Sequence, residues 1–167
     1  MPAEYDAKPR EIRNFVLLQL GLTILFLLLL FWMFGGLDAN LPPIWLWVVL
    51  IAAVAVATFF AERVWLTATP LPADSVDAES TGLAIYAGQT VRKLAYGVAP
   101  ILLGVAFSFY GQTISTEWAA WPILIAGLPG LAVLVFEVWP SARNLSLTET
   151  MLDADGASTR LLRNFGH

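Results

Sequence analysis

Few residues of this chain have the types and spacing that chemistry requires. The 167-residue sequence has no cysteine, which excludes disulfides, thiolate metal sites and thiol nucleophiles. Its one histidine is His167, so no imidazole is available inside a hydrophobic core as a metal ligand or as the base that a serine nucleophile needs. The DADG run at residues 153–156 is too short for a calcium-binding loop. We therefore predict no catalytic residue, no metal and no cofactor, and expect that the protein is not an enzyme.

Two acids are notable because each follows a long apolar stretch. Glu62 comes after the second stretch and Glu137 lies near the end of the fourth, with Arg63 and Arg143 as nearby bases. A surface ion pair of this kind is worth only about 0–1 kcal/mol. We expect ordinary solvation of both acids at a membrane interface, with contact to a partner protein as the alternative. The apolar stretches contain no ionisable residue. Proton relays and ion-coupled transport usually need one inside the bundle, so we expect neither of them.

The elements that position these residues are four stretches without charge, at residues 14–37, 39–61, 94–116 and 118–136. Each is near the roughly 20 residues that cross about 30 Å of hydrocarbon. We predict an all-α membrane protein with four transmembrane helices, spanning about residues 15–36, 42–62, 94–112 and 118–139. Alternate threading puts all nine Lys and Arg residues on one face. By the positive-inside rule, both termini are predicted to be cytoplasmic.

Small residues mark the predicted packing faces of two helices. Ala53 and Ala57 are spaced by four in the second helix, and Gly97 and Gly104 by seven in the third, with Ser108 one turn further on. Such stripes let helix backbones approach closely where lipid offers no hydrophobic driving force. We expect them to pack within the bundle, with docking on another protein as the alternative.

The fourth helix carries a predicted break near the middle of the membrane. Gly127, Pro129 and Gly130 occur together there, and proline removes one backbone donor and clashes with the preceding turn. A structural kink is the simpler interpretation. A broken helix that lines a substrate path, as in transporters, is the alternative.

The pattern T-x-T-x-L-x-A-D appears twice, at residues 67–74 and 148–155. The two copies start 81 residues apart. This spacing indicates two tandem helical hairpins that form a parallel repeat, each with a short cytoplasmic extension; a chance match of loop residues is the alternative. We expect the first part of both copies to be extended, and a helix capped by Ser75 or Asp77 to run into the third span. The predicted docking residues of these extensions are Leu71, Asp74, Leu152 and Asp155.

The predicted organisation is one membrane domain with short extensions. Residues 1–13 form a cytoplasmic N-terminal segment, residues 14–140 form the four-helix domain with its cytoplasmic loop 62–93, and residues 141–167 form a cytoplasmic tail. The net charge of −4 argues against nucleic-acid binding. Arg, Ala, Leu and Val usage favours a GC-rich bacterial source, and therefore a bacterial plasma membrane.

Apolar faces, small-residue stripes and the lack of a catalytic set favour a non-catalytic accessory subunit of a larger membrane assembly. That assembly would be a transporter, with lipid uptake among its roles, or a respiratory complex. In architecture alone the chain resembles the small four-helix auxiliary subunits of actinobacterial lipid-import transporters and terminal oxidases. The alternatives are a homo-oligomeric channel or carrier for an uncharged or lipid-like solute, and a membrane scaffold that recruits a cytoplasmic protein. The expected partners are the lipid bilayer and the larger complex.

Overall fold

A computed structural model describes residues 2–34, 41–113 and 118–167, with side chains from Pro9 onward. The chain forms α1 (Pro2–Met33), α2 (Ile44–Arg63) with a following 3-10 turn (Val64–Thr67), α3 (Ala78–Thr113), α4 (Trp121–Val133) with a following π-helical turn (Leu134–Val138), α5 (Ala142–Leu152) and α6 (Leu161–Asn164). The described ranges contain no β-strand, and one isolated antiparallel bridge joins Pro72 to Gly156.

Four helical segments are long and apolar enough to cross a membrane. They are Pro9–Met33, Ile44–Thr67, Ala78–Thr113 and Trp121–Val138. The prediction of an all-α chain with four such helices is therefore confirmed, and these helices fit a multi-pass membrane protein. The predicted first span ends at residue 36, which lies outside the described residues.

Helix α3 is much longer than the predicted third span. Its 36 residues correspond to about 54 Å at 1.5 Å per residue, against about 30 Å of hydrocarbon. The carbonyl of Asp77 accepts the first helical hydrogen bond, from the Thr81 amide at 3.0 Å. The predicted helix that runs from this loop into the third span is confirmed, whereas its capping by the side chain of Ser75 or Asp77 stays a prediction.

The apolar bundle packs around two hydrophobic clusters. The first joins α1, α3 and the α4 region, and its buried members are Val16, Leu27, Leu30, Ile101, Ile123, Leu134 and Val138. The second joins α2 to α4 and buries Leu46, Leu50, Ile125 and Ala126. Helix α1 lies at the edge of the bundle, since most of its leucines are exposed. Such a surface suits contact with lipid or with another membrane helix.

A third hydrophobic cluster lies beyond the bundle, at the end where the N- and C-terminal segments meet. Its buried members are Ala68, Leu83, Tyr86, Leu145, Leu152 and Leu161, and Ile12 of α1 packs against them. We call residues 68–93 and 142–167 the terminal cap, and this end of the bundle the terminal face. The sequence predicted separate short extensions, but the loop and the tail share one hydrophobic core.

The two copies of the T-x-T-x-L-x-A-D pattern adopt different structures. Residues after the 3-10 turn in the first copy are non-helical, whereas residues 148–152 of the second copy belong to α5. The expectation of an extended second copy is wrong because Ser141 caps α5, accepting a hydrogen bond from the Asn144 amide, and because Leu145, Thr148 and Leu152 form one buried helical face. The copies still touch, since the Leu71 amide donates to the Leu152 carbonyl at 2.8 Å.

The sequence predicted a break in the fourth helix at Gly127, Pro129 and Gly130, but α4 continues through these residues; a bend of the helix axis there stays a prediction. All three lie inside Trp121–Val133, and the irregular turn comes later, at Leu134–Val138. Membrane helices tolerate proline where neighbouring groups compensate for the lost backbone bond. The glycines serve close packing instead: a Cβ atom on Gly130 would come within 2.6 Å of Ile101, and one on Gly127 within 3.0 Å of Leu27.

Candidate functional site

A buried ion pair lies between the bundle and the terminal cap. Glu137, in the π-helical turn after α4, faces Lys93 of α3, with 3.8 Å between Oε2 and Nζ. The two residues are only 6 % and 4 % exposed. The solvation expected for Glu137 from the sequence is therefore wrong, since neighbouring helices cover both charges. Single π-helical turns are often found at functional positions in helices.

Arg143 extends this pair to the surface. Its Nη1 atom donates to Glu137 Oε1 at 3.1 Å, and its Nη2 atom donates to Glu62 Oε1 at 3.3 Å. The hydrogen bond with Glu137, then its negative charge and the contact with Glu62, raise the pKa of the Arg143 guanidinium. The group therefore stays protonated at physiological pH, and the chain Lys93–Glu137–Arg143–Glu62 contains two positive and two negative charges. It links α2, α3 and the end of the α4 region to the first turn of α5.

Neutral polar side chains continue this layer into the cap. The side-chain nitrogen Nδ2 of Asn144 donates to the carbonyls of Phe136, Glu137 and Trp139 at 3.0, 3.0 and 2.9 Å. It therefore satisfies carbonyls that the end of the helix leaves without intrahelical partners. One turn later, the Thr148 hydroxyl donates to Gln89 Oε1 at 2.8 Å. Gln89 lies one turn before Lys93 on α3. We call the buried residues Lys93, Glu137, Asn144, Thr148 and Gln89, with Arg143 and Glu62 at their exposed edge, the polar ring.

Two atoms of this ring are buried without a hydrogen-bond partner. They are the side-chain nitrogen of Gln89 and the side-chain oxygen of Asn144. An unsatisfied buried donor or acceptor destabilises the fold by about 1–3 kcal/mol. The ring thus contains charges and dipoles that are expensive to bury, at the junction of the bundle with the cap. Ionisable residues within membrane helices are functional candidates for this reason.

The predicted small-residue stripes face the interior of the bundle. A Cβ atom on Gly104 would come within 2.6 Å of the Pro122 carbonyl oxygen, and one on Gly97 would overlap the side chain of Leu134. Ser108 is fully buried and donates its hydroxyl to the Gly104 carbonyl at 3.0 Å. The stripe of α3 is therefore in contact with the α4 region of the same chain. In α2, Ala57 is buried and Ala53 half-buried.

The four predicted docking residues have different environments. Leu152 is fully buried in the cap core, so its side chain is not available to a partner, and Leu71 is half-buried beside it. Asp74 and Asp155 are exposed. Leu152 is inaccessible because the loop and the tail fold against each other, whereas docking through Leu71, Asp74 and Asp155 stays a prediction.

Sequence reasoning missed the polar ring. Lys93 counted only as one positive charge of the terminal face, and Gln89, Asn144 and Thr148 were not considered as site residues. The available signal was spacing: Gln89 and Lys93 are i and i+4 in one helix, as are Asn144 and Thr148 in another. Residues four apart share a helix face. Such pairs become informative only when the facing helix is known.

The chemistry of this layer is that of a structural and electrostatic connection. Its side chains supply two carboxylates, two cations and amide and hydroxyl groups that join three helices to the cap. Within the described part of the chain, no group of three or more His, Asp or Glu residues could hold a metal ion. Comparisons with family models, with curated proteins and with solved structures give no match to this chain. The functional proposal therefore rests on the chain's own residues.

Proposed function

We propose that this protein is a non-catalytic accessory subunit of a larger membrane assembly in the bacterial plasma membrane. The first candidate for the assembly is a transporter, and the second is a respiratory complex. In this proposal the terminal face is cytoplasmic and the terminal cap is the part that the larger assembly contacts. The observation that supports the proposal most is an exposed apolar side chain surrounded by acidic residues at the tip of the cap.

The tip of the cap is the segment 74–77, which leads into α3, together with the neighbouring chain at residues 155–156. Val76 is 96 % exposed there, and the side chains of Asp74, Asp77 and Asp155 are also exposed. A pocket of about 310 Å³ lies beside Val76, between this segment and the chain around Gly156. The same pocket is lined by Arg160 and its ion-pair partner Glu79, so the acids around Val76 outnumber the bases. An apolar residue in such a setting fits a partner with an apolar contact and a basic rim, because interfaces bury apolar centres within polar rims.

The polar ring gives the cap a fixed position on the bundle. Ion pairs and hydrogen bonds connect it to α2, α3 and the end of the α4 region. Within the cap, the Leu162 amide donates to the Glu149 carboxylate at 2.8 Å, and Arg160 and Arg163 both contact Glu79. A docking surface held in one position loses less conformational entropy on binding. A rigid display of this kind supports a subunit that organises other proteins.

The orientation in the proposal follows from charge. Arg13 stacks on Trp139, Arg63 ends α2, and Arg92 and Arg143 lie in the same terminal region. Basic residues close to the ends of membrane helices favour the cytoplasmic side. The acidic tip then projects away from anionic headgroups, toward partners in solution or in neighbouring cytoplasmic domains.

The carrier alternative has less support. Its predicted path residues, Gly127 and Gly130, contact Leu27 and Ile101 of adjacent helices. The scaffold alternative shares the cap tip with the leading proposal and differs in the partner, which would be a soluble protein. An experiment that separates the two proposals must therefore identify the partner as well as detect it.

Co-purification tests the proposal. The tagged protein would be extracted from native membranes in a mild detergent, and partners identified and quantified by mass spectrometry. Val76→Ser should lower partner recovery by about tenfold, since burying a valine is worth about 1.5 kcal/mol or more and about 1.4 kcal/mol is tenfold. Thr150→Ala, at an exposed position of α5, is the matched control and should leave recovery unchanged. Equal recovery of the partner with both variants would show that the cap tip is not part of the interface.

A further inference from the structure

A cluster of aromatic rings and arginines lies on the outer side of the bundle at the terminal face, between α2 and α3. The guanidinium carbon of Arg63 sits 3.9 Å from the centre of the Phe59 ring. Phe59 meets Phe60 edge-on at 5.6 Å, and Phe60 stacks on Tyr96 of α3 at 5.7 Å with an interplanar angle of 20°. Arg92 lies one turn before Tyr96. The contacts thus run from one arginine, across three rings, to the turn that carries the second arginine.

Neither arginine has a carboxylate partner among the described residues. The ion pairs among the described residues use Lys93, Arg143, Arg160 and Arg163 as cations, and neither Arg63 nor Arg92 takes part in them. Both are exposed. Arg63 lies one turn before Thr67, the residue that Arg92 contacts, so both cations belong to the same end of α2. Cations at a membrane interface that have no acid partner attract anions, because unlike charges attract.

Arg92 is held in position by the 3-10 turn that follows α2. The Thr67 hydroxyl donates to the Val64 carbonyl at 2.7 Å, and its oxygen accepts a hydrogen bond from Arg92 Nη1 at 3.2 Å. This contact uses one of five guanidinium N–H groups. No other acceptor contacts the Arg92 side chain within the described part of the chain, and a guanidinium binds phosphate oxygens in a bidentate manner.

The depth of the cluster in the membrane matches a lipid headgroup. Arg63 and Thr67 lie at the end of the apolar segment Ile44–Thr67, where headgroups meet hydrocarbon. Below them, Phe59, Phe60 and Val56 are each about half exposed and face the space that acyl chains occupy. Aromatic side chains are enriched at this depth because their rings suit the interface. Phosphate-binding groups therefore lie above a surface that suits hydrocarbon chains.

We propose that this arginine–aromatic cluster, formed by Phe59, Phe60, Arg63, Thr67, Arg92 and Tyr96, binds an anionic phospholipid. Its phosphate contacts Arg63 and Arg92, and its acyl chains lie along the rings. Zwitterionic lipids bind less well, because their ammonium group is repelled by the same two guanidinium groups. The site is independent of the cap tip and of any protein partner.

Native mass spectrometry of the purified protein tests this site. Phosphatidylglycerol and phosphatidylcholine with identical acyl chains would be titrated separately, and their bound fractions compared. Each arginine near an anionic surface contributes enough to change affinity by about fivefold. We expect the wild type to prefer phosphatidylglycerol. Arg63→Gln with Arg92→Gln should lower the affinity for phosphatidylglycerol by about 25-fold and abolish the preference for it over phosphatidylcholine.

The matched control removes two other arginines. Arg160 and Arg163 are also exposed, but both contact Glu79 on the cap, so changing both to glutamine should leave lipid binding unchanged. If the double variant in the arginine–aromatic cluster does not purify, each single variant provides the same test at about a fivefold loss. A wild type without preference for phosphatidylglycerol would overturn the proposal, as would an equal loss in the control.

Discussion

Neutralising Glu137 should destabilise the protein more than any other single loss of charge in the polar ring. Glu137→Gln keeps the size of the side chain and an acceptor for Arg143, but it leaves Lys93 without an anion. Lys93 is 4 % exposed, and Glu137 is its one ion-pair partner among the described residues. Removing one member of a buried ion pair typically destabilises by about 3–5 kcal/mol. We expect about 3 kcal/mol, because the Arg143 side of the site is open to solvent.

The converse change should be milder. In Lys93→Met, Glu137 keeps its contact with Arg143 at 3.1 Å, so no charge is left unpaired and the loss should be about 1 kcal/mol. The double variant should lose about 2 kcal/mol, which is less than the sum of the single losses. The resulting coupling of about 2 kcal/mol lies in the range found for residues in contact. Glu62→Gln is the control, because its exposed pair with Arg143 is worth about 0–1 kcal/mol.

The assay is equilibrium unfolding in mixed micelles with increasing SDS, followed by tryptophan fluorescence. The free energy of unfolding is obtained for the wild type, the two single variants, the double variant and the Glu62 control. If Glu137→Gln and Glu62→Gln differ by less than about 0.5 kcal/mol, the Lys93–Glu137 pair is hydrated and does not secure the cap. Additive single losses would likewise refute the coupling between the two charges.

Two further predictions concern packing and capping. Gly104→Ala should destabilise the protein by about 1–3 kcal/mol, because its Cβ atom would meet the Pro122 backbone oxygen. In Gly88→Ala, in the same helix, the added Cβ atom meets no atom within 4 Å, so this change should stabilise the protein by about 0.5–1 kcal/mol. Thermal unfolding of both variants checks the difference in sign. Asn144→Ala should destabilise the protein by about 1–3 kcal/mol and speed hydrogen exchange across α5, because three contacts with carbonyls are lost. Ser146→Ala is the control: it removes one exposed local hydrogen bond and should leave hydrogen exchange unchanged.

The membrane part of the fold follows from the sequence for a simple reason. Lipid requires about 20 apolar residues and satisfied backbone bonds in every span, so hydropathy alone locates the four helices. The cap does not follow in the same way. Its helix α5 has Thr148 and Thr150 in a pattern that suits an extended chain, and the buried face with Leu145 and Leu152 decides the outcome. Tertiary packing overrides local propensity at such positions.

The polar ring could be predicted only in part. Glu62, Glu137 and Arg143 were recognisable as charges at the ends of spans, and Arg143 does contact both acids. The depth of Glu137 was not recognisable, because burial depends on the π-helical turn and on the long α3 that brings Lys93 to it. A charge at a span end reads the same in sequence whether it faces water or another helix.

Isolation of the intact assembly from native membranes tests the central claim most directly. The tagged protein would be extracted in a mild detergent, sized, and its partners weighed and identified by mass spectrometry. An accessory subunit should elute with a larger membrane protein in a fixed ratio, and Val76→Ser should lower that ratio by about tenfold. Recovery of this chain alone, or only of copies of itself, would contradict the claim and favour a small channel or carrier.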